Sequence, residues 1–231
     1  MRRLAALALA ALLCPALATA ATRAEPKPAP DQAAVLELRG QHRDVRCPDI
    51  LFLAPLPNAP AAAYAKALAP AEAAGFTLPN ASLPAADFHS AGPLPILKAA
   101  GYRLRRVRGI PWQEACARIA SMMALRHKTR VEDGLELDPL CVFLEAEASP
   151  ADLAASLPAL LGADALLILA PQRAEGLPLI VAWRDVIWPG HRDARAIRPE
   201  HWVPTVADVV GLPPPAESGA VSLFPLLTSV G

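Results

Sequence analysis

The amino-acid sequence predicts an α/β fold, a largely parallel sheet with helices on both faces. Three observations carry that expectation. Asp49–Ala54, Cys141–Leu144, Leu166–Ala170 and Leu179–Trp183 are short, continuously apolar runs, as strands buried on both faces are. Segments of helical spacing alternate with them, which is the βαβ pattern. Hydrophobic residues make up 54% of the 231 residues and charged residues 19%, enough to bury a sizeable core.

The punctuation supports each element in turn. Pro55 is expected to end the first strand. Residues 60–74 are alanine-rich and helical in character, with Pro70 limiting or kinking the helix and Gly75 fitting its end. Residues 77–93 hold Pro79, Pro84 and Pro93 and read as irregular. Leu94–Ala100 reads as a short helix stopped by Gly101, and Tyr102–Val107 as a strand whose arginines suit an exposed or edge position. Ala115, Ile119, Met122 and Met123 give Trp112–Leu125 an apolar stripe at helical spacing. Ser149-Pro150 is an N-cap followed by proline at the first helical position, and that helix runs to about Leu161 before Gly162. Val203–Val210 is a short helix closed by Gly211.

Charge and the N-terminus narrow the functional classes. Lys+Arg and Asp+Glu both total 22, so nothing global favours nucleic acid or an anionic membrane. Met1-Arg2-Arg3 is a positive start, Leu4–Leu13 is apolar, and Ala18-Thr19-Ala20 fits a small-x-small cleavage site. Residues 1–20 are therefore expected to be a signal peptide, giving a secreted or periplasmic protein with no later membrane span. An uncleaved anchor reaches spanning length only by counting alanines and Pro15. Residues 21–46 read as a Pro/Ala-rich linker and 47–231 as one domain. Beyond the signal remain Cys47, Cys116 and Cys141, which allow one disulfide at most. No Cys-x-x-Cys or His-x-x-x-His spacing points to zinc, and no cofactor or metal site is expected.

Three segments in order, Leu177–Gly190, Trp202–Pro213 and Ser222–Leu227, resemble the sulfatases of the alkaline phosphatase superfamily. Leu177-Pro-Leu-Ile-Val-Ala-Trp-Arg-Asp-Val-Ile-Trp-Pro-Gly190 is similar to the family's "VPLIVRWPGVIKPG" strand and turn. Trp202-Val-Pro-Thr-Val-Ala-Asp-Val-Val-Gly-Leu-Pro213 is similar to "DLVPTLLDLAGLPLP", and Ser222-Leu-Phe-Pro-Leu-Leu227 to "GRSLLPLL". Pro48–Ala54, Leu94–Arg103 and Leu153–Leu169 resemble further segments in the family's order. The resemblance covers about residues 47–228 and implies an alkaline phosphatase/sulfatase-like core.

The catalytic positions of that family do not carry its chemistry here. Where two metal-binding Asp residues follow the first strand stand Pro55-Leu56-Pro57, which offer no side-chain ligand. The Cys/Ser-x-Pro-x-Arg nucleophile motif is missing from Ser82–Pro93, whose only hydroxyls are Ser82 and Ser90. The Gly-Lys-x-His segment is replaced by Arg108-Gly109-Ile110-Pro111, so Arg108 could supply the cation but no His follows. Gln172 and Arg173 stand at the late metal-ligand positions, where an arginine would repel the ion. Pro55, Leu56, Arg108, Gln172 and Arg173 are thus expected as vestigial site positions with no catalytic residue among them.

The resemblance with these losses implies a catalytically inactive exported protein acting by binding. Two alternatives stay open: an active sulfuric or phosphoric ester hydrolase with a rebuilt site, and a module that binds sulfated or phosphorylated glycans through Arg108 and Arg173. An anionic glycan or a protein is the expected partner, without further identification. His89 beside Asp87 could act as a base in a rebuilt site, whereas His191 reads as solvated and His201 as structural.

Overall fold

The apolar run that opens at Ile50 lies in mid-sheet in the computed structural model, covered on both faces. The structure describes residues 47–228 apart from 82, 86–87, 89–91, 173–175 and 214–218. The expected signal peptide and linker lie outside the described residues. Among those residues, one sheet holds β1 (Asp49–Pro57), β2 (Phe76–Leu78), β3 (Arg103–Val107), β4 (Leu140–Ala148), β5 (Ala165–Leu169), β6 (Leu179–Ala182) and β7 (His191–Arg192). The strand order is β3-β4-β1-β5-β6-β2-β7. β1 runs parallel to both β4 and β5, and β3 runs parallel to β4. β6 alone is reversed, antiparallel to β5 and to β2. The sheet is therefore mostly parallel.

Side chains alternate across it and build two cores. Leu51, Leu53, Val142, Leu144, Leu167 and Leu169 face α1 (Ala61–Ala74), α3 (Trp112–Val131) and α4 (Pro150–Leu161). Ile50, Phe52, Phe143, Ile168 and Val181 face the other way. That side is covered by α2 (Leu94–Ala99), α5 (Trp202–Val209) and α6 (Phe224–Thr228). α4 starts as expected: Ser149 and Asp152 form a reciprocal capping box, with Pro150 in the first turn. Hydrogen bonds from Ser149 hold the Asp152 carboxyl below its ordinary value.

Several boundaries differ from the expectation. β1 does not end at Pro55 but continues through Pro57. The segment after Gly75 is not wholly irregular, because Phe76–Leu78 pairs with β6. A Cβ at Gly75 would sit 2.5 Å from the Val181 carbonyl oxygen, so glycine allows that close approach. The helix from Trp112 runs on past Leu125 to Val131, and the strand at Cys141 opens at Leu140 and extends to Ala148. β7 and α6 were not anticipated. Both are too short to leave a periodic signal, at two and five residues.

The extra turns of α3 have a purpose at the start of β1. Arg126 and Arg130 stand one helical turn apart and continue the buried stripe of Ile119 and Met123. Both reach the carboxylate of Asp49, which is 1% exposed. Arg126 donates from Nε to Oδ2 at 2.8 Å and from Nη2 to Oδ1 at 2.9 Å. Arg130 donates from Nη2 to Oδ1 at 3.0 Å, and its Nη1 lies 2.9 Å from Oδ2 as an ion pair. The Leu140 amide donates to Oδ1 at 2.8 Å, which ties β4 to the same group. Asp49→Ala would leave two largely buried guanidiniums facing each other. It should cost about 3–5 kcal/mol of stability, read as a shift in the urea unfolding midpoint.

Candidate functional site

Parallel strands direct ligands to their carboxyl ends, so the ends of β1, β4, β5 and β3 define the place to look. Ladder geometry explains how Pro55 sits inside β1. The Leu53 carbonyl accepts from the Ala170 amide at 2.8 Å, and the Pro55 carbonyl from the Gln172 amide at 2.9 Å. Odd-numbered residues of β1 therefore face β5 with their backbone groups, and Pro55 removes no bond from the ladder to β4. In a regular parallel ladder, an N–H at position 55 would donate to the Ala170 carbonyl. Proline has none, and Gln172 Nε2 donates there instead at 2.6 Å.

The Gln172 side chain does more than fill that gap. Its Nε2 also donates to the Leu83 carbonyl at 3.1 Å, and its Oε1 accepts from the Ala85 amide at 2.8 Å. It is buried, and its carbonyl oxygen is committed to the loop that follows β2. That loop carries Phe88, fully buried and stacked on Phe52 with ring centroids 4.2 Å apart. Phe52 stacks in turn on Phe143 at 5.1 Å. Phe88, from the stretch where the expected family motif is missing, thus covers Phe52 and Phe143 on that face of the sheet. Ser82, Asp87, His89, Ser90 and Arg173 lie outside the described residues.

The structure therefore joins Pro55 to Gln172 but leaves Leu56 and Arg108 apart from that network. Leu56 is half-buried on the side of Phe52 and Ala54. Arg108 is exposed just beyond β3, an edge strand, as its arginines suggested. Two unanticipated carboxylates share this rim. Register places Glu145 beside Ala54 and Glu147 beside Leu56. Both sit in the part of β4 that the sequence reading stopped short of, where apolar residues give way to Glu-Ala-Glu-Ala. The rim consequently combines both signs of charge above an apolar floor. Among the described residues, no three His, Cys, Asp or Glu side chains group as a metal site.

No protein-family model matches the chain, and no curated protein does. Other reactive groups are accounted for by packing. No disulfide joins Cys47, Cys116 and Cys141 among the described residues. Burial pushes the Cys116 and Cys141 thiols up to about 12, so they hold their protons at neutral pH. Cys47 is half-buried, with its thiol 4.0 Å from the Val210 carbonyl. The histidines follow the expectation in part. His191 is exposed but stacked on Trp188 at 4.0 Å, and His201 Nδ1 lies 3.3 Å from the Arg198 amide. No described helix is long and apolar enough to cross a membrane.

Two outcomes follow from this geometry. Gln172→Leu strands the Ala85 N–H and the Leu83 and Ala170 carbonyls, and should cost about 1–3 kcal/mol per unmatched group. Chemical denaturation measures the loss, and hydrogen exchange locates it at Leu83–Phe88. With a thiol reagent at about pH 8, Cys47 should label first, and Cys116 and Cys141 only on unfolding. Mass spectrometry of the labelled peptides gives the order.

Proposed function

We propose that this chain is an exported, degenerate sulfatase-like protein that acts by binding and has lost ester hydrolysis. The observation that carries the reading is the Pro55–Gln172 closure, with the Phe88 plug beneath the rim. The segments that resemble the family form β1, β5 and β6, side by side in the sheet, together with α2, most of α4, α5 and α6. The residues at the former ligand positions do not fit a divalent cation. Pro55 and Leu56 have no side-chain oxygen, and the Gln172 oxygen is spent on Ala85. Export rests on the sequence of residues 1–20.

The two other readings find less support. A rebuilt hydrolase has Glu145 and Glu147 available at the rim, but among the described residues they join no group of three His, Cys, Asp or Glu that could hold a metal ion. A sulfated or phosphorylated glycan would meet Arg108 there, yet the same carboxylates offset that charge.

Purified protein incubated with aryl sulfates and aryl phosphates in Ca²⁺, Mg²⁺ or Mn²⁺ should give no turnover above the metal blank. Turnover that Glu145→Gln abolishes would overturn the proposal.

A further inference from the structure

A second concave surface lies at the opposite end of the strands, beside the interior strands β5 and β6. A cavity of about 520 Å³ opens where β5 begins and β6 ends, a size typical of small-molecule sites. Its apolar wall comes from the last turn of α4, including Leu161, and from Ala165 and Ala182. The turn after β6 adds Arg184, Asp185 and Trp188.

Three features of that turn bear on what it takes. Asp185 has φ +62°, and it is the one non-glycine residue with a positive φ among the described residues. Asp tolerates this region better than most residues, but glycine would adopt it more readily. Asp185 therefore lines the cavity in a backbone conformation that would otherwise be assigned to glycine. Arg184 is fixed from the other side, donating from Nη2 to the Gly162 carbonyl at 3.1 Å. Trp188 is half-buried, and its ring plane is set by the stack on His191.

We propose that this cavity binds a neutral sugar. Arg184 and Asp185 cancel in charge, so the lining selects neither an anion nor a cation. A wholly apolar ligand would take Arg184 and Asp185, both exposed, out of water with only the Gly162 carbonyl in compensation. What remains is a neutral molecule with one apolar face and several hydroxyls. The C–H face of a sugar ring suits the Trp188 indole, and its hydroxyls donate to the carboxylate and accept from the guanidinium. The site lies away from the closed rim, so it does not depend on the sulfatase-like reading.

The test is a panel of neutral, sulfated and sialylated glycans probed with the full chain, followed by tryptophan-fluorescence titration of each neutral glycan that binds. Binding should favour neutral members. Trp188→Ala should weaken it about tenfold or more. Asp185→Asn suits the same backbone and should weaken it severalfold with an unchanged melting temperature. If Trp188→Ala fails to fold, Asp185→Asn decides alone. Binding confined to charged glycans, no binding to any member, or affinity unmoved by Asp185→Asn would overturn the proposal. The hydrolysis assay is indifferent to all three results.

Discussion

The carboxylate of Asp49 is the constraint on which the rest of the sheet depends. It opens the interior strand β1, and through its two oxygens it holds α3 by Arg126 and Arg130 and β4 by the Leu140 amide. A buried ion cluster is weak as net stabilisation, because desolvating its members offsets their attraction. Its effect is on specificity. Apolar contacts along β1 and β4 tolerate sliding, whereas a carboxylate that must meet two guanidiniums and one amide is satisfied in one arrangement. The β1–β4 register follows, and with it the placement of every residue at the far end of both strands.

At that far end the backbone imposes a second condition. Pro55 deprives the Ala170 carbonyl of its ladder donor, and the Gln172 amide supplies one. The same side chain then holds Leu83 and Ala85 over the strand ends. Proline and glutamine are thus one feature seen from two strands. Because the amide is spent on backbone groups, its oxygen is not available to a cation, and the aromatic stack of Phe52, Phe88 and Phe143 fills the space below. Polar chemistry is left to the rim, where Glu145, Glu147 and Arg108 stand in mixed charge. The remaining concavity lies at the other end of the strands, where the end of the reversed strand β6 and the start of β5 meet beside the carboxyl end of α4.

Much of this architecture was legible in the sequence because its signals are local. Unbroken apolar runs marked β1, β4, β5 and β6, Ser149-Pro150 marked the start of α4, and helical spacing marked α3. Hydrophobic burial acts on each such segment wherever its neighbours come from, so composition and period suffice. Arg126 and Arg130 were legible in principle, as charges that extend an apolar stripe, and so was Asp49 at the head of an apolar run. Gln172 was found as a position but not as a role. Pro55 was read as a stop, because a proline inside a strand depends on which side its missing N–H faces, and only the neighbouring strand determines that.

By itself, then, the sequence determined the α/β class, the buried strands and the residues standing at their ends. Tertiary structure alone decided the strand order, the reversal of β6 and the pairing of Asp49 with two arginines 77 and 81 residues away. It also decided that Gln172 serves as a backbone donor and that Trp188, Arg184 and Asp185 line a cavity. The physical reason is separation along the chain. Burial of a segment is a local property, but hydrogen bonds and charge pairs between distant residues exist only once the sheet has set their distance.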